Sequence, residues 1–150
     1  MPFVTPTDEI VATLTDVGRA NIARSLLPAE GLSFVLTTFK VGRGGYLDAN
    51  PVKVLLVDPA ATDLIDPVFT GNFQSIETII APNVVAPICR LDVGDTAADF
   101  GLGELGIYAT VLASNDSGEI GTSFLFALAH FPLLAKTPSH TLVWRVIIAL

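Results

Sequence analysis

A single cysteine, Cys89, stands in 150 residues, so the chain can close no disulfide within itself and can offer no multi-cysteine metal site. Its neighbours Ile88 and Leu91 mark it as a small buried hydrophobe rather than a nucleophile. The two histidines, His130 and His140, each stand alone at the end of an apolar run with no acidic residue or second histidine at ligand spacing, so no zinc triad can be built locally. A Gly-x-Ser-x-Gly elbow is missing. Charge is scarce as well, at 15% of residues against roughly 25% in an average soluble domain. Eight Lys and Arg are scattered through a chain of net charge −7, which excludes nucleic acid or an anionic membrane as the main partner, because phosphate binding needs clustered cations. No apolar run reaches the roughly 20 residues of a spanning helix, and residues 142–150 are interrupted by Arg145. The N-terminus has no basic stretch before an apolar core, so no secretory signal is read and synthesis in a cytoplasm is expected.

What is plentiful is apolar surface. The hydrophobic share is 51% and the mean hydropathy +0.61, a surplus that implies contacts buried between subunits. The length fits one domain, residues 1–150.

The most informative stretch runs from Gly101 to Phe131. In Glu104-Leu105-Gly106-Ile107-Tyr108-Ala109-Thr110-Val111 the odd positions form an apolar face and Glu104, Gly106, Tyr108 and Thr110 a mixed one. Ser114-Asn115-Asp116-Ser117-Gly118 then reverses the chain. The return strand places Phe124, Phe126 and Leu128 on one face with Leu125, Ala127 and Ala129 opposite, and reads as covered on both sides. Upstream, residues 1–10 carry two prolines and read as an extended arm. An amphipathic helix is expected over about 15–27, with Thr15 as its cap and Asp16 complementing its dipole. Val17, Ala20, Ala23 and Leu27, with Ile22 and Leu26, form its apolar stripe, leaving Arg19 and Arg24 for solvent or a partner.

Strands are expected over 32–41, 52–57, 73–81, 84–93 and 140–150, with Pro87 demoting the first half of the 84–93 run to an edge or bulge. Residues 48–72 read as a long excursion. Gly42-Arg43-Gly44-Gly45-Tyr46 lacks the Lys-Ser/Thr ending of a phosphate loop, so Gly42, Gly44 and Gly45 serve a turn that needs positive φ. Residues 92–99 hold three carboxylates but lack the calcium-loop spacing and read as a solvated acidic loop. Glu104 reads as a structural hydrogen-bond acceptor rather than a general acid. The fold expected is α+β, mostly β: an antiparallel, β-sandwich-like sheet with one N-terminal amphipathic helix. With no catalytic constellation, no metal site and no cofactor motif, a non-enzyme is expected.

In its motifs the chain resembles the N-terminal domain family of bacteriophage tail-collar and tail-fibre proteins. The resemblance is carried by Leu14-Thr15 with Gly18 and the helix after it, by Phe39-Lys40-Val41-Gly42-Arg43-Gly44-Gly45-Tyr46, by Glu104-Leu105-Gly106-Ile107-Tyr108 before an Asp/Gly turn, and by Lys136-Thr137-Pro138 before the last strand. It implies a structural virion protein of the tail, docking fibres on the baseplate as a homotrimer and as an attachment module without a shaft. Other tail and fibre proteins would be its partners, with Phe3 and Val4 of the arm as anchors. The family's usual Arg before Glu-x-Gly is here Gly103. The competing reading is a receptor- or carbohydrate-binding module, for which Trp144 and Tyr46 are the aromatics to weigh, although Trp144 sits among aliphatics and reads as core.

Overall fold

The computed structural model describes residues 8–47, 53–77, 83–92, 95, 100–136 and 141–150. Seven strands close into a barrel: β1 (Asp8–Leu14), β2 (Ser33–Gly42), β5 (Pro67–Glu77), β6 (Val84–Leu91), β7 (Phe100–Ala113), β8 (Ser123–Lys136) and β9 (Leu142–Ala149), hydrogen-bonded in the order β1-β8-β7-β2-β5-β6-β9. A two-stranded ribbon, β3 (Tyr46–Leu47) with β4 (Lys53–Val54), and helix α1 (Asp16–Ser25) lie outside it. The expected mostly-β fold with one helix is present, but the sandwich-like open sheet is not. β1 pairs parallel with β9, from Asp8 opposite Trp144 to Ala12 opposite Ile148, and antiparallel with β8 at Thr13 and Leu14. That one strand seals both edges.

β1 also corrects the reading of residues 1–10 as an arm. Asp8, Glu9 and Ile10 are barrel strand, and only residues 1–7 lie outside the described part. Ile10, Ala12 and Leu14 alternate inward, each less than a tenth exposed, while Val11 points out. Phe39, Val41, Cys89, Leu105, Ile107, Ala109, Trp144, Val146 and Ile148 fill the barrel to complete burial, each large aliphatic contributing roughly 1.5–3 kcal/mol. A small barrel packed this way has a core and no channel. Pro87 is buried and pairs with Ile76 of β5. The β9 ladder matches Val84 and Val85 to Ala149 and Ile148 and resumes at Ile88 with Arg145. Closure therefore places Pro87 in a two-sided strand instead of the expected edge, and its missing N–H falls in the gap of that ladder.

A bulge in β8 changes the expected parity of the return strand. Tyr108 pairs with Leu125 but Ile107 with Ala127, so Phe126 is an extra residue. Before it Phe124 and Phe126 point toward the core, and after it Ala129 and Phe131 do. Leu128, expected beside the phenylalanines, joins Leu125 on the outer face with Tyr108 and Leu64.

Candidate functional site

The sequence motifs meet on the outer face of β7 and β8. The chain leaves β2 through Gly42-Arg43-Gly44-Gly45, and Gly45 alone of the three expected glycines has positive φ, +87°. A side chain there would come within 2.5 Å of the Gly103 carbonyl. Gly42 and Gly44 are needed for another reason: a Cβ on either would strike the Glu104 carboxylate. Glu104 is fully buried and accepts hydrogen bonds from the backbone N–H groups of Gly44 (3.2 Å), Ile65 (2.9 Å) and Asp66 (2.7 Å). The carboxylate thus ties the glycine loop and the end of the excursion to the barrel wall, the role of structural acceptor expected of it. Amide donors replace the arginine that the resemblance places at position 103, where Tyr46 and the Gly44 carbonyl leave no room for a side chain.

Residues 55–66 then lie across the barrel wall. Leu64 seats beside Gly106 and packs with Tyr108, Leu125 and Leu128 in a second apolar cluster. Tyr108 donates its hydroxyl to Asp63, and Lys40 stands 4.6 Å over the Tyr108 ring and 3.5 Å from Asp63. Burial and the Asp63 hydrogen bond push the Tyr108 hydroxyl far above its ordinary range. At Asp63 burial works upward, but the bonds from Tyr108 and the Leu64 N–H, with the Lys40 charge, outweigh it and hold the carboxyl below its usual value. His130 bonds through Nδ1 to the Leu55 carbonyl at 3.0 Å, while its Nε2 is enclosed without a partner among the described residues.

Helix α1 is held by its first turn. Thr15 is the cap expected, accepting from the Gly18 N–H at 2.9 Å. It also donates its hydroxyl to the Leu125 carbonyl at 2.6 Å, and its own N–H bonds the Phe126 carbonyl at 3.1 Å, so the bulge's spare acceptors are met by the helix start. Gly18 lies against that carbonyl with no space for a Cβ. The expected apolar stripe is turned to the core only in part: Ile22 packs against the core and Val17 is half-buried, while Ala20, Ala23, Leu26 and Leu27 are exposed and the buried residues of α1 are Gly18 and Asn21. The helix ends at Ser25, short of the expected 27, and the junction is made by the close glycine contact together with Ile22.

Arg24 is not left for a partner either. It bonds Glu30 at 2.9 Å, Glu119 at 3.0 Å and Asn21 at 3.2 Å, hydrogen bonds to the two carboxylates that hold its guanidinium more firmly protonated than usual. Arg19 remains exposed without an ion pair to any described residue. Phe3 and Val4, named as arm anchors, and Thr137-Pro138 lie outside the described residues, as does most of the acidic 92–99 loop. Among the described residues no cluster of three or more His, Cys, Asp or Glu could hold a metal. No helix there is long and apolar enough to cross a membrane. Trp144 is fully buried in the barrel. The thiol of Cys89 is buried too and pushed well above its ordinary value by desolvation.

Asp63, Glu30 and Glu119 were missed in the sequence. Their partners lie 45, 6 and 95 positions away, and no local spacing announces them. Strand β1 did carry a signal, the alternation of Ile10, Ala12 and Leu14. Against models of protein families, curated proteins and solved structures, the chain matches none.

Proposed function

We propose that this chain is a structural protein of a bacteriophage tail, an adaptor that docks or anchors tail fibres on the baseplate, is made in the host cytoplasm and works in the virion as a homotrimer. The reading rests on the motif resemblance, and one structural observation supports it. A tightly braced barrel holds large aliphatic side chains out to solvent: Leu56 is 96% exposed, Leu26 78%, Val11 76% and Ile65 66%. A rigid scaffold with apolar projections suits a module whose work is to be covered by other proteins. The residues that carry the resemblance, Gly18, Gly42, Gly44, Gly45, Glu104, Gly106 and Tyr108, brace that scaffold, and the projections around them do the docking. Antibody against the purified chain, applied to intact particles and viewed by electron microscopy, should decorate the tail; particles that contain no such protein would refute the reading.

A second reading is favoured by one cleft. Asn72, Phe73, Gln74, Arg90 and Asp92 line a hollow of about 320 Å3, an aromatic ring among amide, guanidinium and carboxylate groups of the kind that bind sugar hydroxyls. Glycan binding by the isolated protein that disappears in Asn72→Ala would favour the receptor-binding module over the adaptor.

A further inference from the structure

The eight Lys and Arg residues are distributed unevenly between work and idleness. Arg24 holds Glu30 and Glu119, Lys40 holds Asp63, Arg43 holds Asp66, Arg90 holds Asp92, and Arg145 holds Glu77 and Glu9. Lys136 is buried and engaged. Arg19 and Lys53 are left exposed without an ion pair to a described residue. In a chain with 15 acidic residues an unpaired guanidinium is a distinctive surface feature, and Arg19 stands at the rim of an apolar groove. Leu14, Ile22, Ala23, Leu26 and Leu150 line that groove, about 510 Å3 in volume, where the outer side of α1 meets the end of the barrel. The leucine expected to bury α1 in the core is on its wall instead.

Beside the N-terminal end of the same helix, where the Asp16 N–H bonds the Pro59 carbonyl, a projection has the opposite form. In Val54-Leu55-Leu56-Val57-Asp58 the side chain of Leu56 is 96% exposed, a ridge between two hollows, one lined by Val11, Thr13 and Val57 and the other by Ala61, Ile65 and Leu128. Asp58, two residues on, is exposed and has no ion pair to a described residue; among the described residues its carboxylate accepts from the Ala60 N–H. The ridge is held firmly from behind, by Leu55 N–H to the Gly45 carbonyl, by His130 to the Leu55 carbonyl, and by Asp16 N–H to the Pro59 carbonyl. A preorganised ridge loses little freedom on contact.

We infer that the chain binds a second copy of itself through these two surfaces: the Leu55-Leu56 ridge of one copy seats in the α1 groove of the next, and Asp58 of the ridge pairs with Arg19 of the groove. The groove supplies an apolar wall with Arg19, and the ridge an apolar knob flanked by Lys53 before it and Asp58 after it, so the pairing that matches in sign is Arg19 with Asp58. Each copy carries one groove and one ridge, so copies joined head to tail make a heterologous contact that can close into a ring, whereas two copies exchanging ridge and groove about a twofold axis would stop at a dimer. This deepens the adaptor reading, on which its biological setting rests, by naming the surfaces that join the copies.

Light scattering of the full chain at micromolar concentration tests it. The wild type should have the mass of a trimer. Leu56→Asp and Leu26→Asp, both at exposed positions, should keep the wild-type circular dichroism and melting temperature while falling to monomer mass. Arg19→Asp and Asp58→Arg should each weaken association about tenfold or more, and the double variant carrying both should regain most of it. A monomeric wild type overturns the contact, as does association that survives Leu56→Asp and Leu26→Asp. Failure of the double variant to recover overturns the Arg19 and Asp58 pairing. Tail decoration is read separately, so a monomer that still labels particles refutes this contact and leaves the adaptor reading standing.

Discussion

Glu104 and Asp63 both tie residues 55–66 to strand β7, one reaching from the strand to the segment and the other from the segment to the strand. Glu104 is fully buried and surrounded by three backbone N–H groups. The Asp63 side chain is 53% exposed and meets one phenol, one ammonium group and the Leu64 N–H. A buried carboxylate with its acceptors filled specifies the path of the backbone around it, whereas an exposed one adds a contact that water and salt can replace. The first is therefore the hinge of this architecture and the second a tether.

Removing the hinge carboxylate should have the largest effect. Glu104→Ala removes the acceptor of the part-buried Gly44, Ile65 and Asp66 N–H groups and leaves a cavity at a fully buried side chain, and should lower stability by about 3 kcal/mol in urea denaturation. The next effect separates backbone conformation from crowding. Gly45 and Gly121 share nearly the same positive φ, +87° and +86°, but a Cβ at Gly45 meets the Gly103 carbonyl at 2.5 Å and His130 at 2.9 Å, while at Gly121 it meets nothing within 4 Å. Gly121→Ala should cost about 1 kcal/mol, the conformational part alone, and Gly45→Ala distinctly more; equal losses would show that the crowding at Gly45 relaxes freely. At the tether, Tyr108→Phe should cost roughly 1 kcal/mol, since the solvent already screens Asp63.

The smallest effect is in pH. The Asp63 carboxyl is held below its ordinary value of 3.8, so it contributes stability that is present above that value and lost as pH falls through its lower folded value. Tyr108 behaves in the opposite sense. Its hydroxyl is raised above its ordinary value of 10.0, so its contribution is present below pH 10 and is lost progressively above it. Tyr108→Phe should flatten both limbs of the stability profile, and an unchanged acid limb would mean that the phenol does not hold the Asp63 charge.

The difference between hinge and tether also explains what the sequence disclosed. The helix cap at Thr15 and the turn at Asp116 and Gly118 are written in residues within a few positions of one another, and the structure places them where local chemistry puts them. Strand bounds are less local, β5 running Pro67–Glu77 where 73–81 is expected and 67–72 reads as excursion, and β4 keeping only Lys53–Val54 of 52–57. Closure is not local: it depends on Asp8 meeting Trp144 and Leu14 meeting Ala127, and the alternation of either strand is compatible with a sandwich. The stripe of Val17, Ala20, Ile22, Ala23, Leu26 and Leu27 is the usual sign of a buried helix face, and only Ile22 of it packs on the core. Here Gly18 approaches β8 too closely for leucine to share the contact, and Leu26 and Leu27 are left outside. The bulge at Phe126 gave no sequence sign, and it exchanged the faces of Ala127, Leu128 and Ala129. What could be read of the exposed apolar projections was the surplus of apolar residues, not their positions.

Amide hydrogen exchange at Gly44, Ile65 and Asp66, compared between wild type and Glu104→Gln, tests most directly whether the motif is a brace. The neutral amide keeps the size of the side chain but replaces one acceptor oxygen with a donor. The account predicts that protection at these three amides falls while that of the interior amides of β7 and β9 is retained. Unchanged protection at all three would contradict it, because the glycine loop and the excursion would then be held by something other than Glu104.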